Sequence, residues 1–319
     1  MYVREGAGLR WGAVRMDAVR NGSCPGNITS LGSAKCFGTS CPPDHKWAAR
    51  PPTLPITRVG ADDLGREILP RFREQGLPIE TVQEDKAAQT GTAQVTLSGD
   101  GLAHFTIQED VAWDYLAATP EAQSAVRAAD AVCFGSLAQR SKISRESIQR
   151  LVADVPPQAL RIFDVNLRQR YYSRELIEQS LRFANILRLN EDELSVLTEM
   201  FGIAGSVKNQ IEPLAQLLGG GRTAAYGNTV ALTRGANGRL LYRDGRWSEV
   251  TSRPVEVVDT VGAGDSFAAA MALGLLHDLD LDTVNDLANE VARFVCTQPG
   301  ATPHLPPNFA EKLRKTALP

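Results

Sequence analysis

The run from Val255 to Leu276 narrows the fold more than any other. Val255-Glu256-Val257-Val258 has strand character, Asp259-Thr260-Val261 leads into a Gly262-Ala263-Gly264 turn, and an almost wholly apolar segment follows. A helix apolar on all sides must be buried, and a strand feeding it through glycine predicts a layered α/β core. Small residues at the turn let backbone approach a ligand, and the first amides of the helix have no acceptor within it. At the positive end of the helix dipole they form an anion hole suited to charge on a transferred phosphoryl group. Asp265, where the helix is expected to begin, is placed to take the proton of an attacking hydroxyl. A lone Asp there is more often an N-cap, but Gly262-Ala263-Gly264 after a strand serves no capping purpose, which favours the base.

Length and composition set the frame for that turn. A chain of 319 residues suits one large α/β domain with an appendage. Its 43% hydrophobic and 22% charged residues and net charge of -3 point to small-molecule ligands rather than nucleic acid or an anionic membrane. No stretch nears the roughly 18 apolar residues of a membrane span, and the first residues lack a signal-peptide core, so a cytoplasmic location is expected. Cys133 and Cys296 lie in apolar runs and read as buried thiols, and the five cysteines have no zinc-ligand spacing.

From about Arg58 onward, helical and strand periods alternate. Helices are expected at Asp62–Gln75, Ser144–Val152, Arg174–Ala184, from Glu191, from Asp265 to Leu276 and at Leu281–Thr297. Strands are expected at Ala131–Phe134, Leu160–Val165, Ile186–Leu189, Thr229–Thr233, Arg239–Tyr242 and Val255–Val258. Thr90–Leu97 and Ala103–Gln108, alternating about Ser98-Gly99-Asp100-Gly101, read as a hairpin and predict a small β lid over about residues 86–112.

Asp259-Thr-Val-Gly-Ala-Gly-Asp265-Ser-Phe267 resembles the C-terminal signature of the ribokinase, or PfkB, carbohydrate kinases. The resemblance extends from Arg58 to about Pro306 and implies a doubly wound α/β sheet with helices on both faces and a small β lid. It implies that Asp265 deprotonates a sugar hydroxyl, that the backbone of Gly262, Ala263 and Gly264 holds the γ-phosphate of ATP, and that Asp259 and Thr260 line the nucleotide side. Asn190-Glu-Asp-Glu193 resembles the family's Asn-x-x-Glu motif, which organises Mg2+ through hard oxygen ligands; an N-cap with an acidic first turn uses the same letters. Thr233-Arg234-Gly235 with Gly238 resembles a strand-end turn touching nucleotide phosphates. Asn289 resembles a position beside the adenine, with an exposed helical Asn of no role the equal alternative. The resemblance also implies a monovalent cation such as K+ near Asp259, and a homodimer, since lid strands pair between subunits in some such kinases. Neither a P-loop nor a Gly-x-Gly-x-x-Gly fingerprint occurs, so the late glycine turn is the phosphate site.

On the substrate side, Asp164-Val-Asn166-Leu-Arg168 leaves a strand at its C-terminal end, where open α/β sheets bind ligands. This run, with Cys133–Arg140 and Gln298–Pro303, resembles bacterial fructokinases and tilts the acceptor toward fructose. Thr92 and Gln94 on the lid hairpin, with Phe105 opposite, would cover the sugar; an ordinary exposed hairpin is the alternative. Trp113 and Asp114 read as packing and capping. A noncatalytic nucleotide- or sugar-binding relative, or a kinase for a sugar acid or nucleoside, are the competing readings.

Residues 1–57 depart from this pattern. The family opens with an apolar strand ending in an acidic residue, then a Gly-Gly-x-x-x-Asn helix start that binds the sugar. Here Pro42-Pro43, Pro51-Pro52 and Pro55 interrupt the candidate elements among Cys24, Cys36 and Cys41. A frame test accounts for the departure. If each codon is rebuilt from the third base of one codon and the first two of the next, the segment from Ser30 admits G-L-G-E-V-L-W-D-L-L-P. His45 to Ile56 likewise admits Q-M-G-G-A-P-A-N-F-A-Y-H, so both missing motifs appear at suitable spacing. Residues of about 29–57 are therefore expected to be encoded out of frame, leaving a kinase domain at 58–319. Sequencing the genomic DNA checks this: the codons should permit both strings, and codons that forbid them would overturn it.

Overall fold

The computed structural model describes residues 2–5, 8–11, 28–31, 53–97, 103–219, 227–300, 302–309 and 312. Cys24, Cys36, Cys41, the Ser98–Gly101 turn and most of the expected out-of-frame segment lie outside them. The elements run β1 (Tyr2–Glu5), β2 (Gly8–Trp11), β3 (Ile28–Leu31), β4 (Thr53–Gly60), α1 (Asp63–Glu74), β5 (Val82–Asp85), β6 (Thr92–Leu97) and β7 (Ala103–Ile107). They continue with α2 (Pro120–Arg127), β8 (Ala131–Gly135), α3 (Lys142–Ala153), β9 (Leu160–Asp164), α4 (Arg174–Phe183), β10 (Ile186–Asn190), α5 (Glu191–Phe201) and α6 (Val207–Gln216). Last come β11 (Thr229–Thr233), β12 (Arg239–Arg243), β13 (Arg246–Val250), α7 (Ala263–Leu276) and α8 (Leu281–Cys296).

Nine strands form the main sheet in the order β13-β12-β11-β10-β9-β8-β3-β4-β5. From β11 to β5 every neighbouring pair is parallel, and the β12–β13 hairpin adds an antiparallel edge. Chain order reverses between β3 and β8, which opens the crevice where such sheets take ligands, at the carboxyl ends of the strands. Strand alternation sends bulky Val132, Phe134, Phe163 and Leu187 to one face, under α2 to α6. Small Ala131, Cys133 and Ala231 go to the other, where the alanine-rich α7 approaches closely beside α8. Residues Ser266 to Leu275 of α7 are all buried, as an apolar-all-round helix requires. The sheet is thus doubly wound with helices on both faces, and among the described residues no helix is long and apolar enough to cross a membrane.

Two expectations are corrected. Val255–Val258 is not a strand: the hairpin already occupies the sheet edge beyond β11, and residues 251–261 run without regular structure. The amides of Val258 and Asp259 bond instead to the Cys296 carbonyl, and Val257 is 58% exposed. Pro55, expected to break an element, lies within β4. There β4 pairs only with β3, while its second half pairs only with β5. The Pro55 carbonyl turns toward the β5 side, accepting from Thr81 Oγ1, so the missing N–H falls on the flank without a ladder.

The lid is a sheet of four strands, β2-β1-β6-β7, so β1 and β2 extend the expected hairpin. Its root is electrostatic. Arg140 pairs with Asp114 at 2.8 and 2.7 Å, donates to the Gln108 carbonyl just past β7, and lies over the Trp113 and Tyr171 rings at 4.0 and 4.8 Å. On the other flank the Asp62 carboxylate caps α1 at the Gly65 amide and accepts from both the amide and the hydroxyl of Thr90. The Arg140 and Asp114 side chains are only 6% and 7% exposed. R140A would strand a buried carboxylate, and should lower unfolding free energy by about 3–5 kcal/mol in a denaturant titration.

Candidate functional site

The carboxyl ends of β9, β10 and β11 meet the first turn of α7. Gly262, at φ 84°, is the N-cap of α7, which begins at Ala263. Asp265 therefore sits inside the first turn and is not the cap. It is half-buried in the first turn, at the positive end of the helix dipole. Asp259 holds the turn closed: one carboxylate oxygen accepts from the Val261 amide at 2.9 Å, the other from the Gly300 amide at 3.1 Å. Thr260, exposed, accepts the Ala263 amide at its carbonyl.

Next to it stands the β11 turn. Thr233 is buried, and Arg234 pairs with Glu249 at 2.9 Å. Gly235 and Gly238 have φ of 51° and 91°, and a Cβ on Gly238 would meet the Val250 carbonyl at 1.8 Å, so that position admits only glycine. Arg239 ties the turn together by donating to the carbonyls of Gly235 and Gly238. Burial pulls its guanidinium below the ordinary value, and Arg188 and Arg234 push it further down. Asn289 is buried rather than exposed, accepts from Ser252 Oγ at 2.9 Å, and lines a cavity of about 460 Å³ with Val250, Thr251 and Arg253.

Asn190 and Glu193 form a reciprocal capping box on α5. Glu193 Oε2 accepts the Asn190 amide at 2.8 Å and Oε1 the Leu167 amide at 3.1 Å, which fastens the β9 loop to α5. Burial raises the Glu193 carboxyl above its usual range. Each oxygen keeps a lone pair, and a hard cation nearby would relieve that cost. Among the described residues no three His, Cys, Asp or Glu converge on a metal site. A cation here would rest on one carboxylate plus water and phosphate oxygens, a donor set that fits Mg2+.

Asp164, at the end of β9, is fully buried and paired with Arg188 at 3.1 Å. Asn166 follows at φ 45°, a conformation Asn tolerates, and turns the loop out of the sheet. Arg168, half-buried, donates to the Leu167 carbonyl. Of the three lid residues named from the sequence, the side chain of Thr92 alone is among those described. Ala93 and Ile107, paired across the hairpin, are buried with Val111, Trp113 and Leu137, so their face packs on the body. Thr92 lies on the alternate face, bonded to Gln108 at 3.0 Å. Gln94 and Phe105 lie on β6 and β7, and their side chains are outside the described ones.

One residue without a motif joins these parts: Arg188, on β10. Its guanidinium donates to Asp164 Oδ1 at 3.1 Å and Thr233 Oγ1 at 3.2 Å, and lies against Gly264. Burial alone would lower its pKa, but the carboxylates of Asp164, Glu193 and Asp265 outweigh it and hold it above the ordinary value. The only sequence signal was a charged residue inside an otherwise apolar strand.

Comparison with known proteins shows the fold and the family. An uncharacterized sugar kinase of Pyrococcus horikoshii is 28% identical over 255 residues, covering 77% of this chain and 75% of the relative. Its structure in complex with ATP superposes with a TM-score of 0.70 at 23% identity, over 90% of this chain and 99% of that one. Fructokinase-1 of Oryza sativa is 27% identical over 266 residues, covering 79% of each chain. A ribokinase II candidate of E. coli, bound to ATP and Mg2+, shares the fold with a TM-score of 0.70 at 20% identity, over 91% and 99% of the two chains. An archaeal sugar kinase and a plant fructokinase do not single out the bacterial fructokinases suggested by Asp164–Arg168. The pfkB family carbohydrate kinase model matches residues 53–308, and the chain belongs to that family.

Proposed function

We propose that the chain is built to transfer the γ-phosphate of ATP to a hydroxyl of a sugar, with fructose the acceptor. The observation that carries this is the convergence of the Asp265 turn, the β11 turn and the Asn190–Glu193 box on the ends of three adjacent strands. The ATP-bound sugar kinase and the ATP- and Mg2+-bound relative of the same fold support the nucleotide and the metal. The plant fructokinases among the relatives support the acceptor.

In this reading Asp265 accepts the hydroxyl proton while the sugar oxygen bonds to the γ-phosphorus and the bridging oxygen leaves with ADP. The amides of Gly262 to Gly264 hold the charge that spreads over the phosphoryl oxygens. Asp259 keeps that turn in place, Thr233 to Gly238 face the remaining phosphates, and Asn289 lines the base cavity. Mg2+, held near Asn190 and Glu193, would neutralise phosphate charge. Asn166 and Arg168 form the described edge of the sugar side, with Thr92 at the lid. The strand that should carry the family's acidic residue is β3, which with the residues after it falls in the segment proposed to be out of frame. The sugar wall is thus incomplete in the chain as encoded, and turnover is expected to be weak until residues 29–57 are restored.

A noncatalytic nucleotide binder is the second reading, favoured by that same segment. Calorimetry with ATP and with fructose separately decides: nucleotide binding without sugar binding marks a disabled kinase, and binding of both sinks that reading. In a frame-restored chain, D265N should reduce turnover about 10²- to 10⁴-fold with ATP affinity kept; undiminished turnover would remove the base assignment. A panel of fructose, ribose, sugar acids and nucleosides on that chain should show the highest kcat/KM for fructose, and any other leading acceptor overturns the preference.

A further inference from the structure

Arg188 is nine-tenths buried, yet it uses few of its donors. A guanidinium carries five N–H groups, and here two side-chain acceptors, Asp164 and Thr233, take one each. Nε is buried with no partner. Buried donors are nearly always paired, and those of a cation are the most costly to leave unpaired. The side chain is also fixed: the carboxylate and the hydroxyl hold the two ends of its plane. A Cβ on Gly264 would stand 2.3 Å from Nη2 and 3.0 Å from Cζ, so the plane lies directly against the glycine turn.

We propose that Arg188 is a catalytic residue whose unused N–H donors receive an oxygen of the terminal phosphate of a nucleoside triphosphate as it passes to its acceptor. This rests on the kinase reading and adds a side-chain cation to a phosphoryl site otherwise made of backbone amides. The location supports it. Asp164 lies on the sugar side, Thr233 on the nucleotide side and Gly264 at the transfer turn, and the guanidinium touches all three. A planar fork suits phosphate oxygens, and a charge already anchored costs no reorganisation when the phosphoryl group arrives. During transfer the bond from γ-phosphorus to the bridging oxygen breaks, the bond to the acceptor oxygen forms and the proton goes to Asp265. Arg188 exchanges neither proton nor electron; it offsets charge on the oxygens that do not react. The same contact explains glycine at 264, where a methyl would displace the guanidinium.

The test compares Mg2+ complexes of ADP and of the β,γ-imido analogue of ATP by calorimetry on the full chain, with no sugar. R188M should weaken the imidotriphosphate about tenfold or more and leave ADP nearly unchanged, with R188K recovering part of the loss. G264A, which keeps the arginine but presses a methyl onto it, should show the same selective loss, and it carries the test if circular dichroism finds R188M unfolded. Equal weakening of both nucleotides would assign Arg188 to the scaffold alone, and unchanged imidotriphosphate binding would likewise overturn the proposal. Wild-type chain that binds neither nucleotide would instead sink the kinase reading, and this inference with it.

Discussion

A buried guanidinium is expensive, and the surroundings of Arg188 show how this fold meets the expense. The side chain leaves β10 beneath the point where β9, β11 and α7 converge, and no single element could supply its partners. Asp164 comes from one neighbouring strand, Thr233 from the other and Asp265 from the helix crossing their ends. Removing Asp164 would leave the cation without its paired carboxylate in low dielectric, a larger loss than the bond itself is worth. The register of three strands and the position of α7 are therefore coupled through one cation. The small residues beneath α7 serve the same end, because only a close-packed helix brings its first turn down to the sheet.

The lid is held by a different logic. Its neighbouring strands β6 and β7 meet the body side by side, the start of β6 fixed by Asp62 and Thr90 and the end of β7 by Arg140 and Asp114. Both clamps sit at the root, where the chain must change direction, and among the described residues Ala93 and Ile107 add an apolar contact to the body. The turns beside α7 are held by close contact instead: a side chain at Gly238 would run into the Val250 carbonyl, and the Asp259 carboxylate spans from Val261 to Gly300.

Much of this was legible in the sequence because periodicity and turn chemistry agree along residues 131–297. Most of those helices and strands lie where alternation and caps put them, and Asn190 with Glu193 is the capping box its spacing describes. Val255–Val258 misled because an apolar run cannot tell whether a sheet edge is still vacant. β13 was missed for the reciprocal reason: Arg246-Trp-Ser-Glu-Val250 has little alternation, and its strand state comes from pairing with β12. Arg188 could not be read as a site residue, since its role lies in partners 24 and 45 positions away. The face of the lid hairpin was equally hidden, because a strand's alternation does not say which side is covered.

The two halves of the site differ in how much sequence they require. A central parallel strand needs four residues able to pair on both sides, and Ile28–Leu31 does so with β8 and β4 whatever follows it. Backbone pairing is generic, so the sheet can close around β3 even where the succeeding residues carry none of the sugar-binding side chains of the family. A sugar site is not generic: it needs a particular carboxylate and a particular amide at fixed places, and the reading-frame displacement proposed for residues 29–57 would remove both at once. The proposed phosphoryl half would draw its parts from residues 164–300, outside that segment. Fold and phosphate chemistry can thus persist in a chain whose acceptor side has been lost, and binding of nucleotide has to be judged apart from turnover of sugar.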